Sequence, residues 1–139
     1  MLVTTKRIQI RTAAAIEAHD VTGAVRGAVR DAGVENGVVC ISVPHTTCAV
    51  CINENEVGLR SDLERLAREL LNPLATSAPF AHDRVDDNAR AHLTAVLLGN
   101  SVTVPVQGAA PVLGTWQSVF LVELDGPRTR ELHVQVLGA

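Results

Sequence analysis

Residues 37–52 read GVVCISVPHTTCAVCI, which is two runs of small apolar and β-branched residues separated by Pro44-His45-Thr46. Runs of this length and composition are typical of strands that are buried on both faces or nearly so. We therefore predict strands over Gly37–Val43 and Thr47–Ile52. The break between them allows polar side chains to point out of the sheet.

Helical spacing of apolar residues predicts three helices around these strands. The first covers residues 20–31 and is followed by a stop signal at Gly33. Asn72-Pro73 is expected to end the second helix, and residues 72–86 are expected to form a long irregular loop. The third helix is predicted from Asp87 to Leu98. The apolar stripe of the second helix consists of Leu59, Leu63, Leu66 and Leu70.

The remaining segments predict further strands. Residues 2–11 end in the alternation of a half-buried strand. Later strands are predicted at Ser101–Val106, Trp116–Leu124 and Thr129–Leu137, with Asp125–Arg128 as the turn between the last two. This mixed order of strands and helices predicts a single α+β domain over residues 1–139 with a largely antiparallel sheet.

Composition argues against two classes of partner. The 139 residues include 12 basic and 15 acidic side chains, and only 2% are aromatic. Because nucleic-acid binding requires a concentrated positive face and often aromatic stacking, we expect no nucleic-acid partner. No apolar run approaches the roughly 18 residues of a membrane span, so we expect no membrane partner.

The N-terminus and the cysteines both favour a cytoplasmic protein. The N-terminal residues have no apolar signal core. Cys40, Cys48 and Cys51 are an odd number of cysteines in apolar sequence, which does not favour a disulfide framework. We read them as small hydrophobic residues and expect a cytoplasmic protein.

Three histidines are candidates for a shared site. His45 lies in the strand break, His82 lies in the long loop, and His92 lies on the third helix. His92 is expected to point inward, since it shares a helical stripe with Ala89, Leu93, Val96 and Leu97. Three imidazoles can hold a metal ion and leave a position open for water or substrate, with Asp83, Asp86 or Asp87 orienting a ligand. The alternative is a set of separate, hydrogen-bonded structural histidines.

Two polar clusters have both a structural and a functional interpretation. Residues 53–56 read NENE. In one interpretation an asparagine caps a helix and the acidic residues suit the helix dipole. In the other, Glu54 is a general acid or base, with Asn53 and Asn55 as ligand donors. Arg128 either belongs to a hairpin turn or binds phosphoryl oxygens. The single tryptophan, Trp116, is expected to pack at a pocket or a subunit edge.

Several of these segments together resemble the YjbQ-like proteins, which are often labelled secondary thiamine-phosphate synthases. They occur in the order of that family and cover most of the chain. The matching stretches are Val43–Thr47, Ile52–Asn55, Ala91–Leu93, Leu98–Val106, Leu113–Gln117 and Glu123–Arg128. The chain departs from the family pattern at Phe80, where a tyrosine is usual, and after His82, where a glycine is usual.

The resemblance implies a sandwich-like α+β fold, a homotrimer and a polar site. In that site His45, His82 and His92 would hold a divalent metal, with zinc as the first choice. Glu54, Arg128 and His45 would be catalytic, and no organic cofactor is implied. The residues implied to bind substrate are Thr46, Thr47, Asn53, Asn55, Trp116 and Gln117.

The reaction implied by the resemblance joins a pyrimidine diphosphate to a thiazole phosphate and releases pyrophosphate. The expected partner is therefore a small phosphorylated molecule, besides other copies of the chain. Two alternatives use the same residues. One is a non-catalytic trimer that binds a metal or a small ligand, and the other is a metal-dependent hydrolase of unknown substrate.

Overall fold

Eight strands form two antiparallel sheets in a computed structural model that describes all residues from Met1 to Ala139. The larger sheet has five strands, and its order places the two chain-terminal strands side by side at one edge. Its strands, in spatial order, are β1 (Leu2–Arg11), β8 (Thr129–Gly138), β3 (Asn36–Ser42), β5 (Ser101–Gln107) and β6 (Ala110–Pro111).

The smaller sheet has three strands with β7 in the centre. In spatial order they are β2 (Glu17–Asp20), β7 (Ser118–Glu123) and β4 (Cys48–Asn53). The register pairs Cys48 with Glu123 and Asn53 with Ser118. The two predicted strands of the 37–52 stretch are therefore confirmed, but each belongs to a different sheet.

Four α-helices accompany the sheets, three of them ten residues or longer. They are α1 (Thr22–Asp31), α2 (Val57–Glu69), α3 (Asn72–Ser77) and α4 (Ala89–Leu98). A single turn of 3₁₀ helix, Ala81–Arg84, lies between α3 and α4. No helix has the length and apolar character required to cross a membrane.

The main hydrophobic core lies between the two sheets. Buried valines and leucines of β3, β5 and β8 pack against those of β4 and β7, and α1 adds Val25, Ala28 and Val29. A smaller cluster lies on the other side of the three-stranded sheet, where Ala67 of α2 and Ala95 of α4 pack against Phe120. The chain thus stacks a sheet, a second sheet and a helical layer, which confirms the α+β sandwich.

Three of the sequence predictions need correction. In β3, Val39 and Ile41 are fully buried but Val38 is 40% exposed, because no helix covers the outer face of the five-stranded sheet. The 72–86 segment is not an irregular loop, since Asn72–Ser77 form α3 and Ala81–Arg84 form a 3₁₀ turn. Pro73 lies in the first turn of α3, where its missing N–H has no intrahelical partner to lose. The short strands β2 and β6 carry no hydrophobic pattern of their own and were not predicted.

The apolar stripe predicted to bury α4 faces the wrong way. Val96 is 78% exposed and Leu97 is 63% exposed, whereas Ala91 and Ala95 are buried. Small side chains allow the helix backbone to approach the sheet closely, so the alanine face packs inward and the larger residues face outward. The stripe of α2 is likewise only partly covered, since Leu66 remains 49% exposed.

Candidate functional site

A buried ion pair lies where β7 ends and β8 begins. Glu123 is fully buried and Arg130 is 3% exposed. The guanidinium Nε of Arg130 donates to Glu123 Oε1 at 2.9 Å, and its Nη2 donates to Oε2. A charged pair withdrawn from water requires such close bidentate contact to offset the loss of hydration.

Both partners of this pair also hold neighbouring segments. Arg130 Nη2 donates to Thr47 Oγ1 at 2.9 Å and to the Thr47 carbonyl oxygen at 3.1 Å. Thr12 Oγ1 donates to Glu123 Oε1 at 2.7 Å. The backbone N–H groups of Leu124 and Asp125 donate to Glu123 Oε2. The pair therefore joins Thr12, which directly follows β1, with the His45 segment and the 125–128 turn.

The surroundings of Glu123 keep it ionised. Burial by itself would raise the pKa of this carboxyl, but the hydrogen bonds from Arg130 and Thr12 outweigh it and lower the pKa below its ordinary value. Arg130 responds in the opposite direction, because its bond to Glu123 raises the pKa of the guanidinium against the effect of burial. Both groups are charged at neutral pH.

A polar cavity of about 580 Å³ opens beside this pair. It brings together five of the residues predicted from sequence, which are His45, Thr46, Thr47, His92 and Arg128. Asp86, predicted as a residue that could orient a metal ligand, also lines it. Four further polar residues of the lining were not predicted as site residues, namely Asn88, Asn100, Asp125 and Arg130. Only one of its lining residues, Val43, is hydrophobic, so the cavity suits a strongly polar ligand.

His45 is held by the end of the five-stranded sheet. The last residue pair between β3 and β8 joins Ser42 and His133, so from Glu131 toward the turn β8 is paired with β1 on one side but has no strand on the other. The backbone N–H of Glu131 donates instead to His45 Nε2 at 2.9 Å. Because Nε2 accepts a hydrogen bond, the proton of the neutral ring lies on Nδ1, which then acts as a donor.

The environment of His45 favours the neutral ring. Burial lowers its pKa, and the nearby positive charge of Arg130 lowers it further, although Glu123 and Glu131 partly oppose this. Protonation of Nε2 would also remove the acceptor that Glu131 N–H requires. His45 therefore presents a neutral N–H donor at neutral pH.

A chain of hydrogen bonds connects His82 to Arg128. Asn88 Nδ2 donates to Asp125 Oδ2 at 3.0 Å, and Asp125 Oδ2 accepts from Arg128 Nη2 at 2.9 Å. The amide oxygen of Asn88 therefore faces His82 Nε2 at 3.0 Å, which makes that nitrogen the donor. His82 does not line the cavity but orients Asn88, which does.

His92 points into the cavity from α4. Its ring packs edge-on against His82 with a centroid distance of 4.8 Å and an interplanar angle of 74°. Its ring nitrogens form no hydrogen bond with the protein and are free to contact a ligand. Asn88, rather than Asp83, Asp86 or Asp87, is the residue that orients the neighbouring His82.

The arrangement of the histidines does not fit the predicted three-histidine metal site. The Nε2 lone pair of His45 accepts from Glu131 N–H, and Nε2 of His82 donates to Asn88. No group of three or more His, Cys, Asp or Glu side chains is placed to hold a metal ion. A divalent metal at this site stays a prediction.

The other predicted residues lie at the opposite end of the three-stranded sheet. Asn53 and Glu54 line a separate cavity of about 310 Å³ beside α2. Five residue steps along β4 separate Cys48 from Asn53, which is roughly 17 Å at about 3.3 Å per residue. The members of this second group are Asn53, Glu54, Asn55, Trp116 and Gln117.

Most of that second group has structural partners. Glu56 caps α2 by accepting from the N–H groups of Gly58 and Leu59. Asn55 Nδ2 donates to Asp20, and Gln117 Oε1 accepts from Gly114 N–H. The carboxylate of Glu54 has no protein partner, and Trp116 is 72% exposed. The NENE segment therefore does cap α2, but the capping residue is Glu56 and not an asparagine as predicted. The predicted ligand-binding and catalytic roles of the rest stay predictions.

One sequence signal would have revealed Glu123 and Arg130. Glu123 directly follows the apolar run Val119–Val122, and a carboxylate at the end of a buried strand requires a partner. The predicted hairpin turn at Asp125–Arg128 is wrong, because this turn leads from β7 in the three-stranded sheet to β8 in the five-stranded sheet. It still brings Arg130 back alongside Glu123. Asn88 and Asn100 carry no comparable signal, because asparagine is common at helix ends and in turns.

Comparison with known proteins assigns the chain to a family. A family model described as UPF0047 protein YjbQ-like matches residues 6–139. The chain belongs to the YjbQ-like UPF0047 family. Among its relatives, a UPF0047 protein of Methanothermobacter thermautotrophicus is 44% identical over 138 residues, which cover 99% of this chain and 94% of that protein. YugU of Bacillus subtilis is 32% identical over 137 residues, covering 96% and 98%.

Solved structures of YjbQ-like proteins have the same fold. A crystal structure from Sulfolobus solfataricus P2, described as a YbjQ-like protein of unknown function, superposes with a TM-score of 0.92 at 41% identity. The match covers 99% of this chain and 98% of that chain. A hypothetical protein from Aeropyrum pernix K1 gives a TM-score of 0.91 at 40% identity and covers 98% and 99%.

Replacing Glu123 by glutamine is expected to lower the free energy of unfolding by about 3–5 kcal/mol, because the buried Arg130 would lose its counter-charge. Urea unfolding at neutral pH measures this change. Glu54→Gln is the matched control, since its carboxylate has no protein partner, and it is expected to change stability by less than about 0.5 kcal/mol. Equal effects of the two substitutions would contradict the structural role of the pair.

Acidification is expected to destabilise the protein partly through His45. Because folding lowers the pKa of this ring, the unfolded chain binds more protons as the pH falls below about 6.5, and stability decreases. Urea unfolding at pH 7.5 and pH 5.5 compares the parent with His45→Gln, whose amide oxygen can still accept from Glu131 N–H. A smaller loss of stability in the variant is expected, and an equal loss in both proteins would exclude His45 as a contributor.

Proposed function

We propose that the 580 Å³ cavity binds a small phosphorylated molecule and that the chain transfers a group with release of pyrophosphate. The family resemblance suggests the specific reaction, in which a pyrimidine diphosphate and a thiazole phosphate give thiamine phosphate. The observation that carries the proposal is the meeting of His45, His92 and Arg128 in one polar cavity. These side chains provide donors to phosphoryl oxygens from three separate parts of the chain.

Arg128 supplies the positive charge of the proposed site. Its Nε donates to the Asp125 carbonyl oxygen at 2.7 Å and its Nη2 donates to Asp125 Oδ2 at 2.9 Å. These two bonds fix the plane of the guanidinium, and Nη1 is left without a protein partner. A guanidinium fixed in this way can donate to phosphoryl oxygens without first losing side-chain freedom.

His45 complements Arg128 with a neutral donor. Its Nδ1–H has no protein partner, and the Glu131 backbone holds the ring in place. The amide side chain of Asn100 and the hydroxyl of Thr46 line the same cavity. Donors fixed before the ligand arrives stabilise developing negative charge without reorganising during the reaction, which is the usual source of such catalysis.

The proposed chemistry requires charge stabilisation more than proton transfer. The carbon–oxygen bond to the diphosphate breaks, and its electron pair stays on the departing pyrophosphate oxygen. The thiazole nitrogen provides the electron pair of the new carbon–nitrogen bond. Arg128 and His45 would stabilise the charge that grows on the leaving group, whereas His92 would contact the ligand close to the reacting bond.

The first test is turnover of the pyrimidine diphosphate and thiazole phosphate pair by the purified parent protein. Arg128→Ala and His45→Ala are each expected to lower kcat/KM by about 100-fold, since each removes a donor to developing charge. Arg65→Ala is the matched control, because Arg65 lies on α2 and pairs with Glu69. Absence of turnover by the parent, or full activity of both cavity variants, would refute the proposal.

The same assay separates the two alternatives. A hydrolase would release phosphate from a panel of phosphoesters without any thiazole acceptor. A binding protein would retain ligand or metal but show no turnover. The predicted divalent metal, zinc in the first instance, is not needed for the proposed chemistry, and the hydrogen bonds of His45 and His82 do not fit it. The metal content per chain and assays with and without chelator test that prediction separately.

We also propose that the chain assembles as a homotrimer, which the family resemblance implies. Support comes from apolar side chains that are uncovered in the single chain, since Leu66 is 49%, Leu70 is 40% and Leu74 is 54% exposed. Leu66 lies on α2, Leu70 directly follows that helix as its C-cap, and Leu74 lies on α3. Adjacent exposed leucines of this kind commonly mark an interaction surface.

Light scattering tests the assembly. The parent is expected to have three times the 14.7 kDa mass of the chain. Leu66→Glu is expected to shift the protein toward monomers, because a charge would be buried in the interface. Val57→Glu is a matched control on the same helix, at a residue that is 85% exposed. A monomeric parent would refute the trimer.

A further inference from the structure

A second cavity, of about 460 Å³, adjoins the polar cavity. The two cavities have four lining residues in common, which are His45, Thr46, His92 and Asn100. Beyond this shared boundary the second cavity is lined by Cys48 of β4, Ala95 and Val96 of α4, and Gly99. His45 and His92 therefore lie on the boundary between the two cavities and line both of them.

The two cavities differ in charge. The polar cavity has four charged lining residues, which are Asp86, Asp125, Arg128 and Arg130. The second cavity has none of these, and its own walls consist of small or apolar side chains. A charged ligand group bound there would lose its hydration and find few polar contacts in return. The cavity therefore disfavours charged groups.

Cys48 belongs to this apolar wall as an uncharged side chain. Its residue is fully buried, and burial raises the pKa of the thiol to about 11. A thiol with such a pKa stays protonated at neutral pH and is a poor nucleophile. Cys48 therefore lies behind the apolar wall of the cavity as an uncharged side chain.

We propose that the second cavity binds an uncharged, largely apolar ring of the same ligand whose phosphate group occupies the polar cavity. The ligand would thus span the boundary, with the atoms that join its ring to its phosphate beside His45 and His92. This inference rests on the proposed function, and it adds that ring recognition and phosphate recognition belong to separate parts of the site. A volume of about 460 Å³ accommodates one such ring, since ligand cavities typically measure about 300–1,000 Å³.

Val96 offers a way to change the second cavity alone. It lines this cavity but not the polar one, and it is 78% exposed, so a charged residue is tolerated there in the folded chain. Leu97 is the next residue of the same helix, is 63% exposed and lines neither cavity. Val96→Glu and Leu97→Glu are therefore matched variants that differ in their access to the cavity.

The experiment measures binding of two probes, inorganic pyrophosphate and benzyl diphosphate, by calorimetry. The parent is expected to bind benzyl diphosphate at least tenfold more tightly than pyrophosphate. Val96→Glu is expected to remove most of that ratio and to change the pyrophosphate affinity less than twofold. Leu97→Glu is expected to retain the ratio. Light scattering confirms that both variants keep the oligomeric state of the parent.

The outcomes separate this inference from the proposed function. Equal affinities of the parent for the two probes would overturn the ring subsite while leaving the phosphate site intact. A ratio that is unchanged in Val96→Glu, or equally reduced in Leu97→Glu, would overturn it as well. Failure of the parent to bind pyrophosphate at all would instead refute the proposed function, and the subsite with it.

Discussion

The ion pair between Glu123 and Arg130 is the interaction on which the candidate site depends. A buried pair is stable only when its charges have close hydrogen-bond partners, and here these partners come from Thr12 after β1, the His45 segment and the 125–128 turn. Satisfying the charges therefore brings these segments together. The position of Arg128 follows from the turn, whose first N–H groups bind Glu123 Oε2. The ion pair thus both stabilises the fold and positions the residues of the polar cavity.

His45 shows how the end of a sheet can become part of a site. Where β3 leaves the sheet after Ser42, the N–H of Glu131 would otherwise lack an acceptor, and the imidazole supplies one. A backbone group buried without a partner costs free energy, so the sheet holds the ring in a defined orientation. This bond also selects the tautomer that presents Nδ1–H to the cavity. The chemistry available to His45 is therefore a consequence of strand pairing.

Local sequence patterns predicted most helices and strands. They failed where contacts between distant segments determine which strand forms or which helix face is buried. β-Branched runs identified β3 and β4, and helical spacing identified α1, α2 and α4. The same spacing placed the wrong face of α4 inward, because close packing on the sheet selects Ala91 and Ala95 over larger neighbours. The short strand β2 exists only through its pairing with β7. The four residues of β2 are too few to show a hydrophobic pattern that predicts a strand.

The sequence by itself determined the fold class, the family and the polar residues from which a site is built. Motifs such as Val43–Thr47 and Glu123–Arg128 are local, and their residue types limit the chemistry that they can support. Only the tertiary structure determined which of these motifs line the same cavity. It groups His45, His92 and Arg128 at one end of a sheet and Asn53 and Glu54 at the other. The reason is physical: strand register and the burial of Glu123 with Arg130 set these distances, and both depend on residues far apart in the chain.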